Sequence, residues 1–159
     1  MKKYTLFSYR YISMARSLTA VLTVSVIMMQ DDRVLLLREQ KNGGPIYNLP
    51  GGHVDTGESV MTAAIREAEE ETGFLIQLGS LVQIFNRAWE DGHHSVRQTY
   101  TAEIMGGELK TEEGSEAFWM SREEVDVIPE EQWNIGTKQA VLLGLDGHTV
   151  NPRHVAWKE

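Results

Sequence analysis

Leu22, Val24, Val26 and Met28 alternate with Thr23, Ser25 and Ile27, a period of two that predicts a strand with one face deeply buried. Gln30-Asp31-Asp32 reads as a turn into a second strand over Arg33 to Arg38, so the pair predicts a hairpin. Lys41 to Pro45 and Pro50-Gly51-Gly52 read as loops, the second extended by Val54 to Glu58. From Ser59 to Thr72 the period becomes helical, and Gly73 suits a C-terminal stop. Phe74 to Phe85 and Val96 to Met105 predict strands joined through a turn at Asp91-Gly92. A short strand follows over Glu116 to Met120, then Ser121-Arg122-Glu123-Glu124 in the form of a capping box. Asn134 to Leu145 predicts the last helix. Strands flanked by separated helices predict an α/β fold with a mixed sheet between helices.

The 159 residues fit one domain, and we expect residues 18–159 to form it behind an extension over 1–17. The extension is free of acids, so a weak transit peptide or a start at Met14 stays open; Tyr9, Arg10 and Arg16 interrupt any signal-like apolar core. The longest apolar stretch, Leu18 to Met29, is too short and too polar to span a membrane. Without cysteine there is no disulfide frame, thiol nucleophile or zinc–thiolate site, which fits a cytoplasmic protein. A net charge of −8 argues against an extended nucleic-acid surface while leaving open a small anion held through a metal.

The chemistry concentrates between Gly52 and Gly73. On a wheel of about 100° per residue, Glu67, Glu70 and Glu71 share one face, with Met61, Ala64, Ile65 and Ala68 on a separate apolar face. Grouping like charges at helical spacing costs about 0.2–0.5 kcal/mol per pair, and anions near a helix C-terminus oppose the dipole. A hard divalent cation reverses both penalties. Arg66 stands where it can orient the carboxylates. Gly51, Gly52 and Gly57 let the preceding loop approach a ligand without Cβ obstruction. A solvated acidic face alone would not require those glycines.

Gly52, five residues, Glu58, seven residues, then Arg66-Glu67-Ala68-Glu69-Glu70-Glu71-Thr72-Gly73 resembles the Nudix box at all its fixed positions. Ala68 stands where a larger aliphatic is usual. Leu49-Pro50-Gly51-Gly52 and Phe118-Trp119-Met120-Ser121 are similar to flanking elements of the family. The resemblance implies an α/β/α sandwich and hydrolysis of the pyrophosphate linkage in a nucleoside diphosphate derivative or nucleoside triphosphate. It implies Mg²⁺, with Mn²⁺ as a substitute, held by Glu67, Glu70, Glu71, the Gly52 carbonyl and Glu113. Glu112 and Glu116 are alternatives to Glu113. In the same reading Glu67 is a ligand or general base, Arg66 holds the helix carboxylates, and Gly51, Gly52, His53 and Trp119 meet the substrate. A small nucleotide is the implied partner, and a homodimer is compatible with the resemblance.

Phe85, Trp89, Asn48, Asn86 and Arg87 are further candidates for nucleoside contacts, although aromatics in strands more often pack in a core. His93 and His94 fit an exposed turn, and His148 and His154 are too scattered to form a site. The window after the box lacks the proline or tyrosine that marks some subgroups, which lowers the expectation for ADP-ribose and dinucleoside polyphosphates. Trp119-Met120-Ser121 mildly favours nucleoside triphosphates. Two other readings are a nucleotide-binding regulator without catalysis and removal of pyrophosphate from an RNA 5′ end.

Overall fold

The computed structural model describes residues 20–150; the N-terminal extension, the expected boundary at Leu18 and His154 lie outside the described residues. Six strands are named here in chain order: β1 (Ala20–Gln30), β2 (Arg33–Lys41), β3 (Gly44–Asn48), β4 (Phe74–Ala88), β5 (His94–Gly107) and β6 (Ser115–Met120). Three α-helices are α1 (Val60–Thr72), α2 (Arg122–Asp126) and α3 (Thr137–Leu145), with a 3₁₀ turn at Glu130–Gln132. The sheet is mixed. β1 runs parallel to β5 and β5 antiparallel to β4, while β2 lies antiparallel between β3 and β6.

Helices cover both faces. Val24, Val26, Met28 and Leu35 pack with Ala63, Ala64 and Ala68 of α1, and Ile27, Val34 and Leu36 pack with Val125 of α2 and Ala140 and Val141 of α3. This is an α/β/α sandwich. Strand β1 therefore differs from the alternation read in its sequence: Val24 through Met28 are buried on both faces, Ser25 included. Ser25 tolerates burial because its hydroxyl bonds that of Thr99 at 2.8 Å.

The loop expected over Lys41 to Pro45 is shorter than its composition suggested. Lys41 pairs with Gly44, leaving Asn42-Gly43 as a tight hairpin turn into β3. Pro45 sits within β3 because this is an edge strand, where a missing N–H is tolerated. Helix α3 begins at Thr137 rather than Asn134, since Gly136 takes a left-handed φ of 76° as its N-cap. The Ser121 capping box is present, with the Ser121 N–H donating to Glu124 at 2.7 Å.

One departure positions the site. The β1–β2 hairpin pairs only at Met29–Val34 and Gln30–Arg33, and the two strands then diverge. The Pro50–Val54 segment fills the gap along β1, through Val26 N–H to the Pro50 carbonyl (2.8 Å), Val24 N–H to the Gly52 carbonyl (2.9 Å) and Val54 N–H to the Leu22 carbonyl (3.0 Å). The glycine loop is thus held as part of the sheet.

Candidate active site

Helix α1 has a defined start and stop. The Ser59 side chain accepts from the Thr62 N–H, and Gly73 closes the helix at a φ of 72° with its N–H on the Glu69 carbonyl. Ala63, Ala64, Ala68 and Thr72 are its buried residues. Met61 and Ile65, expected on the apolar face, are exposed. The buried arc is rotated from the one read on the wheel, and Glu67 and Glu71 fall inside it. Alanines bring the helix backbone close to the sheet, so the two acids sit against the Gly51–Gly52 segment.

That approach depends on the glycines. A Cβ at Gly52 would land on the Glu67 carboxylate, and a Cβ at Gly51 would land on the Val24 carbonyl. The Gly51 N–H donates to Glu71 at 2.7 Å. The Gly52 carbonyl, expected as a metal ligand, accepts from the Val24 N–H at 2.9 Å and keeps its second lone pair. Gly52 also gives Glu67 the room it occupies.

Arg66 gathers the remaining acids. It donates to Glu58 at 2.6 and 3.3 Å, to Glu67 at 2.9 Å, to Glu70 at 3.0 Å and to the His53 carbonyl at 3.0 Å. These bonds raise the Arg66 pKa further above its ordinary value. Arg66, helped by the Asp55 N–H, holds the Glu58 carboxyl below the usual range. Glu71 is different. Burial pushes its carboxyl up to about 7 against the opposing Gly51 N–H, with further repulsion from Glu67, Glu112 and Glu39.

Glu67 and Glu71 stand at one end of a cleft of about 480 Å³. Gly51, Gly52, His53, Glu67 and Glu71 line that end; Phe85, Arg87, Trp89, Ser95 and Arg97 from β4 to β5 line the other, with Asn48, Asn134 and Ile135 between. Arg87 lies 3.6 Å over the Trp89 ring, which also stacks on His93 at 5.6 Å. Arg97 donates to the Thr137 hydroxyl at 3.1 Å and to the Ile135 carbonyl, and lies 5.6 Å from the Phe85 ring centre. Both of its acceptors are uncharged. The cleft is acidic at one end and basic at the other, in a chain whose net charge is −8.

Several of the expected residues, Arg66 among them, do not line this cleft. Glu70 is half exposed and turned to Arg66, outside the cleft, whereas the Glu67 side chain is only 14% exposed. Glu113 lines a second cavity of about 220 Å³ with Glu39, Glu112 and Ser115, and Glu71 lines this cavity as well as the cleft. Trp119 lies outside the cleft because it packs on Phe74, 6.3 Å between ring centres, beside the alanines of α1. Glu116 pairs with Arg38 at 2.7 Å, and Asn86 is exposed outside the cleft. Arg97, Asn134 and Ser95 were missed. Arg97 had one available signal, a charge among the strand-forming residues Val96 to Tyr100.

The donors at the acidic end suit a hard cation. Glu67 and Glu71 line it with carboxylate oxygens, the donor type that a hard divalent cation takes.

A family model described as the NUDIX domain matches residues 19–141. An ADP-ribose pyrophosphatase of Methanocaldococcus jannaschii is 31% identical over 69% of this chain, which spans 60% of that protein's length. A putative 8-oxo-dGTP diphosphatase of Bacillus subtilis is 36% identical over 52% of the chain and 53% of its own length. Among solved structures, a NUDIX hydrolase from Nitrosomonas europaea superimposes with a TM-score of 0.74 at 24% identity, covering 88% of this chain and 98% of that one. A MutT NUDIX hydrolase from Burkholderia pseudomallei gives 0.66 at 26% identity, covering 79% and 98%.

Proposed function

Because this chain belongs to the Nudix family, we propose that it hydrolyses the pyrophosphate linkage of a nucleoside diphosphate derivative or nucleoside triphosphate, with Mg²⁺ or Mn²⁺ at the acidic end of its cleft. The observation that carries this reading is the two-ended cleft. Glu67 and Glu71 face the glycine loop in the same 480 Å³ space that Arg87 and Arg97 enter from the opposite strands. Names of relatives support the substrate class, since they include an ADP-ribose pyrophosphatase and a putative 8-oxo-dGTP diphosphatase.

Glu67 and Glu71 would hold the cation. When bound, it would neutralise phosphate charge and lower the pKa of a water. The chain's own residues do the rest. The Gly51–Gly52 segment, fixed to β1, lets a phosphate come close to backbone. Glu67 Oε2 makes no bond to Arg66, so it would be free to take the cation or a proton from the attacking water. Arg66 favours the charged form of Glu58 and holds Glu58, Glu67 and Glu70 in place through its hydrogen bonds, so it is a positioning residue. Glu70, whose Oε1 makes no bond to Arg66, would join the ligand set by turning toward the cleft. Arg87 and Arg97 would neutralise the part of the substrate that the cation does not reach.

The test is phosphate or nucleotide release from a panel of nucleoside triphosphates and diphosphate-linked compounds, with and without Mg²⁺ or Mn²⁺, beside Glu67→Gln. Turnover that needs the cation and is lost in the folded variant is expected. Turnover equally fast without the cation, or unchanged in the variant, overturns the proposal. No turnover anywhere on the panel favours a nucleotide-binding role.

A further inference from the structure

Helix α1 leaves part of its own face of the sheet bare. Val24 packs under the helix. Val24 pairs with Gln98 and Gln98 with Ile84, while Leu22 pairs with Val96. Paired residues share a face, and alternate residues along a strand return to it, so Leu22, Val96 and Ile84 lie on the α1 side. Leu22 is 42% exposed and Ile84 56%, although Val24 on the same face is buried. The helix borders this strip with apolar residues: Met61 and Ile65, one turn apart, are exposed on the flank away from Arg66 and Glu70. Strand β4 thus presents Phe85 and Arg87 to the cleft and Ile84 to the bare strip behind it.

The strand that carries Leu22 begins at Ala20, directly after residues 1–19. That segment holds Tyr4, Phe7, Tyr9 and Tyr11 together with Lys2, Lys3, Arg10 and Arg16, and it has no acid. From residue 20 onward 11 bases stand against 23 acids, a net charge of −12. Glu69, one turn beyond Ile65 on α1, is exposed beside the strip. The segment therefore offers apolar side chains to the strip and positive charge to its surroundings. Reach is ample, since β4 lies about 10 Å from β1 and 19 residues span about 60 Å when extended. A stable contact between two chains takes roughly 20–30 residues a side, far wider than two exposed strand residues and one helix flank.

We propose that residues 1–19 dock on this strip, covering Leu22 and Ile84 with their aromatic side chains while their four cations meet the acidic surface of the domain. The docked segment backs the stretch of β4 whose other side gives Phe85 and Arg87 to the cleft. A start at Met14 would remove Tyr4 through Tyr11 and leave the strip bare.

The chain has no cysteine, so Ile84→Cys introduces a single thiol. Its rate of reaction with dithionitrobenzoate is read in native buffer, relative to the same thiol in urea, in the full chain and after deletion of residues 2–17. Val127→Cys, at the 79% exposed C-cap of α2, is the reference. In the full chain the Ile84→Cys thiol should react about tenfold or more slowly than the reference. After the deletion it should come within about threefold of it, with circular dichroism confirming the fold. No protection in the full chain, or equal protection with and without the segment, overturns the proposal. Protection that fades on dilution overturns it too, because a second copy then covers the strip. Ile84→p-benzoylphenylalanine in the full chain needs no deletion. Irradiation should join that position to a peptide from residues 1–19. A cross-link to residues 151–159, a cross-linked dimer, or no cross-link within the chain rejects the docking. Neither measurement depends on turnover.

Discussion

The two ends of the cleft are built on opposite plans. At the acidic end, the residues come from one stretch of chain, Gly51 to Glu71, and most charges are already paired with a neighbour in that stretch. At the basic end, Phe85, Arg97, Asn48 and Thr137 come from β4, β5, β3 and α3, and Arg97 reaches only neutral acceptors. The first end is locally prepared for its charge; the second keeps donors in reserve. The difference also separates what substitutions should do at each end.

The largest expected effect is at the acidic end. Glu67→Gln should lower kcat by about 10²–10⁴-fold, the usual contribution of a positioned general base, while the thermal midpoint stays the same or rises. A rise would follow from removing one of the charges that crowd Glu71. An unchanged kcat would erase the contrast between the two ends.

Arg66→Ala comes next. It removes bonds to three carboxylates at once, so the metal-free protein should lose about 1.5–3 kcal/mol in urea unfolding, within the range for charged hydrogen bonds. Excess Mg²⁺ should restore part of the loss, because it answers the same repulsion. A variant as stable as the parent would show that the acids need no counter-charge.

A pH series sharpens the comparison. The Glu71 carboxyl sits at about 7 in the fold against 4.5 ordinarily, because burial disfavours its charge. The folded state therefore holds this proton more tightly than the unfolded state. Its contribution to metal-free stability is fully present below about pH 4.5 and is lost as pH rises through 7. Glu71→Gln should flatten that part of the profile. A profile of the parent and variant with the same slope between those limits would count against it.

The smallest effect on substrate is expected at Trp119. Trp119→Phe should lower the melting temperature through lost packing on Phe74, with KM within about twofold of the parent. A large KM change without loss of stability would return Trp119 to the substrate.

Much of the acidic end was legible in the chain because its parts are local. Helix α1, its caps at Ser59 and Gly73, the glycine loop and the clustering of Arg66 with its acids all follow from residues within a few turns of each other. The rotation of α1 was not legible. Met61 and Ile65 are apolar enough to suggest a buried face, and only the close approach that alanines allow turns Glu67 and Glu71 inward instead. Glu70 reads as equivalent to Glu71 in sequence, yet it faces Arg66 and solvent while Glu71 meets the Gly51 N–H.

By itself, the sequence determined the family, the sandwich of helices around a mixed sheet, and the charged segment around which the chemistry is built. Local periodicity, caps and the spacing of a motif are enough for those, since each depends on neighbours along the chain. The tertiary structure decided which acids enter the cleft, that Trp119 belongs to the core, and that Arg97 and Phe85 face the glycine loop. Those depend on the parallel pairing of β1 with β5 and on the parting of β1 from β2. Strand partners distant in sequence leave no periodic mark in either strand alone, so only the assembled sheet brings their side chains together.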